Sequence, residues 1–585
     1  MPAIVVLVVV MGMFYLGWRY YSLYLADRVY ALNDANITPA HTFNDGVDYV
    51  PTNKHVLFGH HFTSVAGAAP IVGPAIAVFW GWLPALIWVV IGTIFAAGVH
   101  DFGSIVVSVR NRAQNIGTLT SSVINPRSRS LFLAIIFFLL TLVNAVFAVV
   151  IGNLFVANPG AVIPIVVEIP LAIGIGAYIY RTKSSALVPS IIGVVVLYAL
   201  ILVGQAYPID LTGAAEAIGM GPRTLWILLL FLYAFIASRI PVWVLLQPRD
   251  YINSHQLFIA LAVIFLGLII GLDRISAPAI NTAVPEGSPS FFPFLFVTVA
   301  CGAISGFHSL VASGTTSKQL DKETDARHVG YLGALGEGSL AVGAILATTA
   351  GITAVGLTWR EQYTDFGAAG AGAVGNFVAG IAGFTTHLGI PEDLGRIFAA
   401  VVVISFAATT MDTGVRLQRY ILQEIGEMVG TRADGSVRSG AGGGFLKLTK
   451  NLTAVTFLAV IVPLGLALVP GRGGAEAQGF AFGRLWTLFG TTNQLTAGLA
   501  LSVIAVYVTK QGRSAIAQIV PLVFLLTMTT WALIVNLKTF IDNRDWLLAP
   551  LDLIILVLAA WLIVEAALAM SKARRESTRV DEPIA

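Results

Sequence analysis

Apolar stretches about 20 residues long recur from one end of the chain to the other, parted by short polar intervals. Each is long enough to cross a hydrocarbon layer of roughly 30 Å as a helix. The pattern predicts about fifteen spans, near 2–25, 56–80, 84–109, 131–157, 160–180, 187–207, 223–247, 255–272, 292–316, 328–356, 392–415, 451–470, 483–509, 515–537 and 547–571. The Gly- and Ala-rich stretch 364–390 is apolar but weak, and reads as a folded extracellular loop or re-entrant segment rather than a span. The fold class is therefore an all-α polytopic membrane protein lying in a lipid bilayer. No long apolar-free segment could house a soluble domain, and the Gly/Ser/Arg-rich Gly435–Gly444 region reads as a flexible linker.

Basic residues test the path. With the N-terminus outside, the inward intervals collect twenty-five of the 34 Lys and Arg, among them Arg110, Arg112, Lys183, Lys318 and Arg416. The outward ones, Arg472 among them, collect eight, and Arg239 alone falls inside a span. Lys and Arg concentrate in cytoplasmic loops, and one miscounted span would destroy the bias. The expected placement is a bacterial inner (plasma) membrane with the N-terminus outside and the C-terminus cytoplasmic. Ala3–Leu16 lacks a preceding basic residue and a following small-residue cleavage site, so it reads as a retained helix rather than a leader.

Composition agrees: 57% of residues are hydrophobic and 11% charged, where a soluble chain carries about 25% charged residues. The net charge of +3 is spread among loops, which argues against a nucleic-acid partner. The single cysteine, Cys301, lies in an apolar stretch; it excludes a disulfide framework and reads as ordinary helix packing.

Two spans carry the candidate chemistry. The second contains Phe58-Gly59-His60-His61-Phe62-Thr63-Ser64, followed by Gly67, Pro70, Gly73 and Pro74. The ninth contains Ser305-Gly306-Phe307-His308-Ser309, followed by Ser313, Gly314, Thr315 and Thr316. Lipid offers no hydrogen bonds, so a broken helix is tolerated in a membrane where its freed groups line a cavity. Interrupted helices in two halves, running in opposite directions as these do, are the signature of an inverted-repeat transporter core. A substrate carboxylate is expected at the half-helix amides beside Gly67 or Gly306. Thr63, Ser64, Ser309 and Ser313 would add hydrogen bonds.

Ionisable residues inside a membrane are functional candidates by default. They are His60, His61, His100, Asp101, Glu168, Arg239, His308, Glu337, Asp412 and Glu565. His60, His61 and His308 fall on the broken spans, and histidine titrates near neutral pH, so they are expected to bind substrate or sense a proton. Asp101 could accept a proton, and Arg239 is expected to pair with Glu168, Glu337 or substrate. Glu565 is assigned no role. His60 and His61 project about 100° apart on a helix and cannot easily share an ion, so no metal site is expected. No HExxH, GxSxG or P-loop pattern occurs, so neither an enzyme nor an ATP-driven pump is indicated, and no cofactor is expected. A passive channel would need a continuous polar ring, and a nutrient sensor would need an output domain. Nothing in the chain speaks to oligomeric state.

At these motifs the sequence resembles the carbon starvation protein A family. The resemblance is carried by NKHVLFGHHFTSVAGAAPIVGP from Asn53, His100-Asp101-Phe102, PVWVLLQPRDY from Pro241, SGFHSLVASGTTSKQ from Ser305, TTMDTGVRLQRYILQE from Thr409 and LWTLFGTTNQL from Leu485. It implies ion-coupled uptake of small peptides, or alternatively of pyruvate, under nutrient limitation. It also implies the five-plus-five inverted-repeat fold. On that analogy 1–25 is a peripheral first helix, 54–272 a first repeat with inserted helices, 290–510 a second repeat and 511–571 two C-terminal helices. The analogy further implies a coupling-cation site, for proton or sodium, where the break of the second span faces Thr409, Thr410 and Thr413 beside Asp412. His61, His308 and Asp101 would share in the coupling. A peptide amine would favour Asp101, Asp412 or Glu337 near the cavity.

Overall fold

The computed structural model describes the chain apart from residues 47, 183–184, 242, 433–435, 472–481 and 581–585. Lys183, Arg472 and Gly435, which entered the sequence reading, lie outside the described residues. The described residues fold into helices, with only isolated bridges of extended backbone. Thirteen helices are long and apolar enough to cross a membrane, and two bent pairs bring the number to as many as 15.

Contacts between chain segments show where each helix begins and ends. One end of the bundle, here the basic end, gathers Arg110, Glu323, Lys510 and Arg513. Arg110 meets Glu323 and the Ala31 carbonyl, Lys510 meets the Val123 carbonyl, and Arg513 meets the Val29 carbonyl. The far end gathers Asp273, whose carbonyl accepts from Ala3, Asn281, which donates to the Trp80 carbonyl, and Thr349, whose carbonyl accepts from Ser276. The first span runs from Ala3 at the far end to Tyr30 at the basic end, past the limit expected at residue 25.

The second span is Lys54–Val65 and Ala69–Trp80, bent by 52°. The break falls at Ala66–Ala68, and Pro70 sits in the first turn of the resumed helix, where a missing amide hydrogen costs nothing. The ninth span, Phe291–Gln319, is interrupted earlier than the sequence indicates. A 3-10 turn at Ala300–Gly302 ends its first half, and the helix resumes at Phe307. Ala300 carries φ 33°, a left-handed value that only a fixed turn imposes on alanine. The second span runs from the basic end to the far end and the ninth runs back, so the two broken helices are oppositely directed. Gly73 lets them touch: a side-chain carbon there would lie 2.6 Å from the carbonyl oxygens of Thr298 and Val299.

The structure gives detail to one expectation and changes two. Stretch 364–390 contains a continuous 22-residue helix, Phe366–His387. Its Phe366 ring packs on Phe79 and Trp80, and its His387 ring meets Asp273 at 3.0 Å, so it starts and finishes at the far end. The Gly/Ser/Arg region is not wholly a linker, because Ala441–Lys450 is a helix packed under Gly426 and Gly430. Arg239 is not an intramembrane ion-pair partner: it is exposed in the turn after Pro222–Ala237, with its guanidinium 5.5 Å from the Phe235 ring. Of the unassigned residues, Glu565 accepts from Asn125 at 2.6 Å.

Candidate functional site

Two buried polar clusters and one cavity lie around the broken helices. In the first cluster, the third span (Trp82–Arg110) supplies His100 and Asp101, the resumed half of the ninth supplies His308, and the tenth (Arg327–Val355) supplies Glu337. His308 Nδ1 is 2.8 Å from Asp101 Oδ2, and His100 Nδ1 is 2.7 Å from Asp101 Oδ1. On its other side, His308 Nε2 lies 3.2 Å from Glu337 Oε2, close enough for an ion pair but not aligned as a hydrogen bond. All four side chains are buried. A π turn adjoins each contributing segment: Thr93–Ala97 before His100, Ala312–Thr316 after His308 and Arg327–Tyr331 before Glu337. Such turns rotate the following side chains relative to a regular helix and recur at functional sites. One imidazole between two buried carboxylates, with His100 Nε2 and Glu337 Oε1 lacking partners, can hold and release a proton.

His61 stands apart. Its Nδ1 bonds Thr316 Oγ1 at 2.8 Å, its Nε2 has no partner, and its ring packs beside Gly333. It joins the second span to the ninth below their breaks.

The second cluster centres on Arg249, which falls between the predicted spans 223–247 and 255–272. Pro248 occupies the first turn of Leu246–Gly271, where an amide hydrogen has no partner within the helix in any case. Arg249 is therefore carried inside, 1% exposed. Its Nε is 3.3 Å from Glu168 Oε1, and its Nη1 is 2.7 Å from Asp412 Oδ2 and 2.8 Å from the Tyr233 hydroxyl. Tyr233 donates to Asp412 Oδ2 at 2.7 Å, and Ser405 donates to Glu168 Oε2 at 3.1 Å. Asp412 Oδ2 is thus held by Arg249 and Tyr233, while its Oδ1 has no hydrogen-bond partner. Nearby, Asn253 donates to Thr409 Oγ1 at 2.8 Å.

The breaks themselves are largely filled. Phe307, the first residue of the resumed ninth-span helix, donates its amide to Asn493 Oδ1 at 3.2 Å. Asn493 also donates to Cys301 Sγ at 3.1 Å, and Cys301 Sγ donates to Ser305 Oγ at 3.3 Å. The Phe307 amide beside Gly306 is consequently capped by protein, and Cys301 belongs to the break rather than to ordinary helix packing. At the other break, a side-chain carbon on Gly67 would lie 2.7 Å from Thr410 Oγ1, so the second span does meet the eleventh (Glu392–Gly430) there. Among the described residues, no group of three or more His, Cys, Asp and Glu side chains is arranged to hold a metal ion.

A cavity of about 700 Å³ lies toward the basic end and is lined by His60, Ser64, Asp250, Ser313, Thr413 and Arg416, among others. The predicted substrate set therefore divides. His60, Ser64 and Ser313 face the cavity, and so does Thr413 from the predicted cation site. His61, Thr63, Gly67, Gly306, His308 and Ser309 are buried in helix contacts, with Thr63 bonded to the Gly59 carbonyl and Ser309 to that of Gly306. Thr410 bonds the Phe406 carbonyl. Arg249, Asp250, Tyr233 and Asn493 were not singled out from the sequence, although Arg249 and Asp250 lie in its PRDY motif and Asn493 in its TTNQL motif.

The sequence profile of the family described as "Carbon starvation protein CstA" matches residues 2–362 and 358–532. The chain belongs to the CstA family. The peptide transporter CstA of Mycobacterium tuberculosis H37Rv is 33% identical over 580 residues, covering 90% of this chain and 74% of that protein. The peptide transporter CstA of Bacillus subtilis 168 is 30% identical, covering 91% and 90%. The pyruvate/proton symporter BtsT of Escherichia coli K12 is 31% identical, covering 92% and 82%. Among solved structures, a manganese transporter of Eremococcus coleocola aligns with 90% of this chain and 99% of its own at 12% identity and a TM-score of 0.47. This CstA-family chain is accordingly a multi-pass membrane protein whose relatives are named transporters.

Proposed function

We propose that this CstA-family chain imports small peptides across a bacterial inner membrane by alternating access, coupled to a cation and used when carbon is limiting. The observation that carries the reading is the cavity beside two broken, oppositely directed spans, in a chain whose relatives are named peptide transporters. Basic residues favour the cytoplasmic side, so the basic end faces the cytoplasm and the cavity is in its inward-facing state. The N-terminus then lies outside. The proton is the coupling cation this reading favours, because His308 between Asp101 and Glu337 is a buried group able to take it up without a metal.

A second reading has its own support. The relative BtsT is named a pyruvate/proton symporter, and the cavity wall carries Arg416 and Lys318, cations suited to a small carboxylate. Uptake into proteoliposomes separates the two. Labelled dipeptide that accumulates under an imposed proton gradient supports peptide import, and accumulation of pyruvate alone supports the second reading.

A further inference from the structure

Four carboxylates line the cavity: Asp48, Asp250, Glu424 and Glu427. Asp48 and Glu427 are exposed at its rim, and Glu424 lies 3.3 Å from Arg129. Asp250 differs, being 2% exposed with an Oδ1 that has no hydrogen-bond partner. Its Oδ2 lies 3.6 Å from His60 Nδ1, beyond hydrogen-bond length, and the Ser64 hydroxyl stands beside it.

The charges around Asp250 do not balance. Its charged neighbours are Arg249, Asp412 and Glu168. Arg249 is already spent on the other two carboxylates, and Arg416 turns its guanidinium onto the carbonyls of Ala237 and Ile240. A buried carboxylate without a partner is unfavourable, and a cation arriving beside it removes the cost. Each of the three carboxylates that the sequence offered for a peptide amine already has a basic partner on one or both oxygens, Asp101 two histidines, Glu337 Oε2 His308 and Asp412 Oδ2 Arg249, although Glu337 Oε1 and Asp412 Oδ1 are themselves unpaired.

We propose that Asp250, flanked by Ser64 and His60, receives the free α-ammonium of the peptide and so sets the preference of this cavity for peptides over simple monocarboxylates. The proposal rests on the peptide-import reading. An ammonium brings three donors, enough for Asp250 Oδ1, Ser64 Oγ and a neutral His60 ring nitrogen. The peptide carboxylate would turn toward Lys318, which also lines the cavity. A volume of about 700 Å³ is roomy for a three-carbon acid and ordinary for a ligand of several residues.

The test is counterflow of labelled dialanine in proteoliposomes, with dialanine, N-acetyl-dialanine and pyruvate as competitors. In the unaltered protein, N-acetyl-dialanine, which lacks the ammonium, should compete about tenfold or more less well than dialanine. In Asp250→Asn, dialanine should lose about that factor, while N-acetyl-dialanine and pyruvate lose little. Equal competition by the free and acetylated peptides in the unaltered protein overturns the proposal without any variant. So does an Asp250→Asn protein that keeps its folded yield and the original ratio. If a parallel counterflow with labelled pyruvate shows exchange and labelled dialanine shows none, the import reading and the proposal fail together. If the unaltered protein exchanges dialanine without regard to the amine, only the proposal fails.

Discussion

His308 Nδ1 lies 2.8 Å from Asp101 Oδ2, which ties the half-helix after the break in the ninth span to the third span. The other ring nitrogen approaches Glu337 on the tenth span at 3.2 Å. A proton gained or lost by this ring changes its attraction to two helices at once. The cluster joins the half-helix after the ninth-span break to the third and tenth spans, and in the proposed mechanism it would be the coupling element.

Replacing His308 with Gln should separate coupling from binding. Glutamine can keep one hydrogen bond to Asp101 but cannot take up a proton. Gradient-driven accumulation should fall by about tenfold or more, while substrate exchange without a gradient persists. Paired uptake and counterflow assays check this, and equal loss in both would point to a purely structural role.

Arg249→Met should be severely destabilising, by about 3–5 kcal/mol, because it strands Glu168 and Asp412 as buried charges. Adding Glu168→Gln and Asp412→Asn should recover much of the loss, since the charges then disappear together. Thermal unfolding of the detergent-solubilised protein reads both effects.

At the basic end, outside the spanning segments, Glu323 ties Arg110 to Asn33 and Asn36. Burial alone would raise the Glu323 carboxyl, but hydrogen bonds from Arg110, the Asn33 amide and Asn36 hold it below the usual carboxylate range. A depressed folded-state value stabilises the fold above the free carboxylate's range and loses that contribution as pH falls toward the folded value. Melting temperature should therefore drop on acidification below about pH 5. Glu323→Gln should be less stable near neutrality by about 1–3 kcal/mol and depend less on acid pH.

Gly73→Ala should weaken the contact between the broken spans. The added methyl would meet two backbone carbonyl oxygens at 2.6 Å, and backbone cannot swing aside as a flexible side chain can. The expected cost is about 1–3 kcal/mol. It should appear as a smaller monodisperse fraction on gel filtration of the solubilised protein.

Most spans were legible because span length is a strong constraint on a membrane helix, but the predicted span 223–247 is a 16-residue helix, Pro222–Ala237, and Phe366–His387, left out of the predicted count, is long and apolar enough to cross. The second-span break was legible from Pro70, Pro74 and the glycines around them. The ninth-span break was displaced from Ser305–Thr316 to Ala300–Gly306 because it is imposed by Asn493, nearly 190 residues away in sequence, rather than by a local proline. Arg249 and Asp250 were missed for a local reason: a proline followed by two charges reads as a loop unless tertiary packing buries it. Arg239 drew the ion-pair assignment because it followed an apolar run, although that helix ends at Ala237. His61 and His308 were expected with His60 to bind substrate or sense a proton, but sequence alone could not show that both turn into helix contacts while His60 turns to the cavity.

The most direct test of the central claim is accumulation of labelled dialanine in proteoliposomes under an imposed proton gradient, with and without a protonophore. Accumulation above the bath concentration that collapses with the protonophore is the predicted result. Equilibration without accumulation, or accumulation driven by a sodium gradient and indifferent to protonophore, would contradict proton-coupled peptide import.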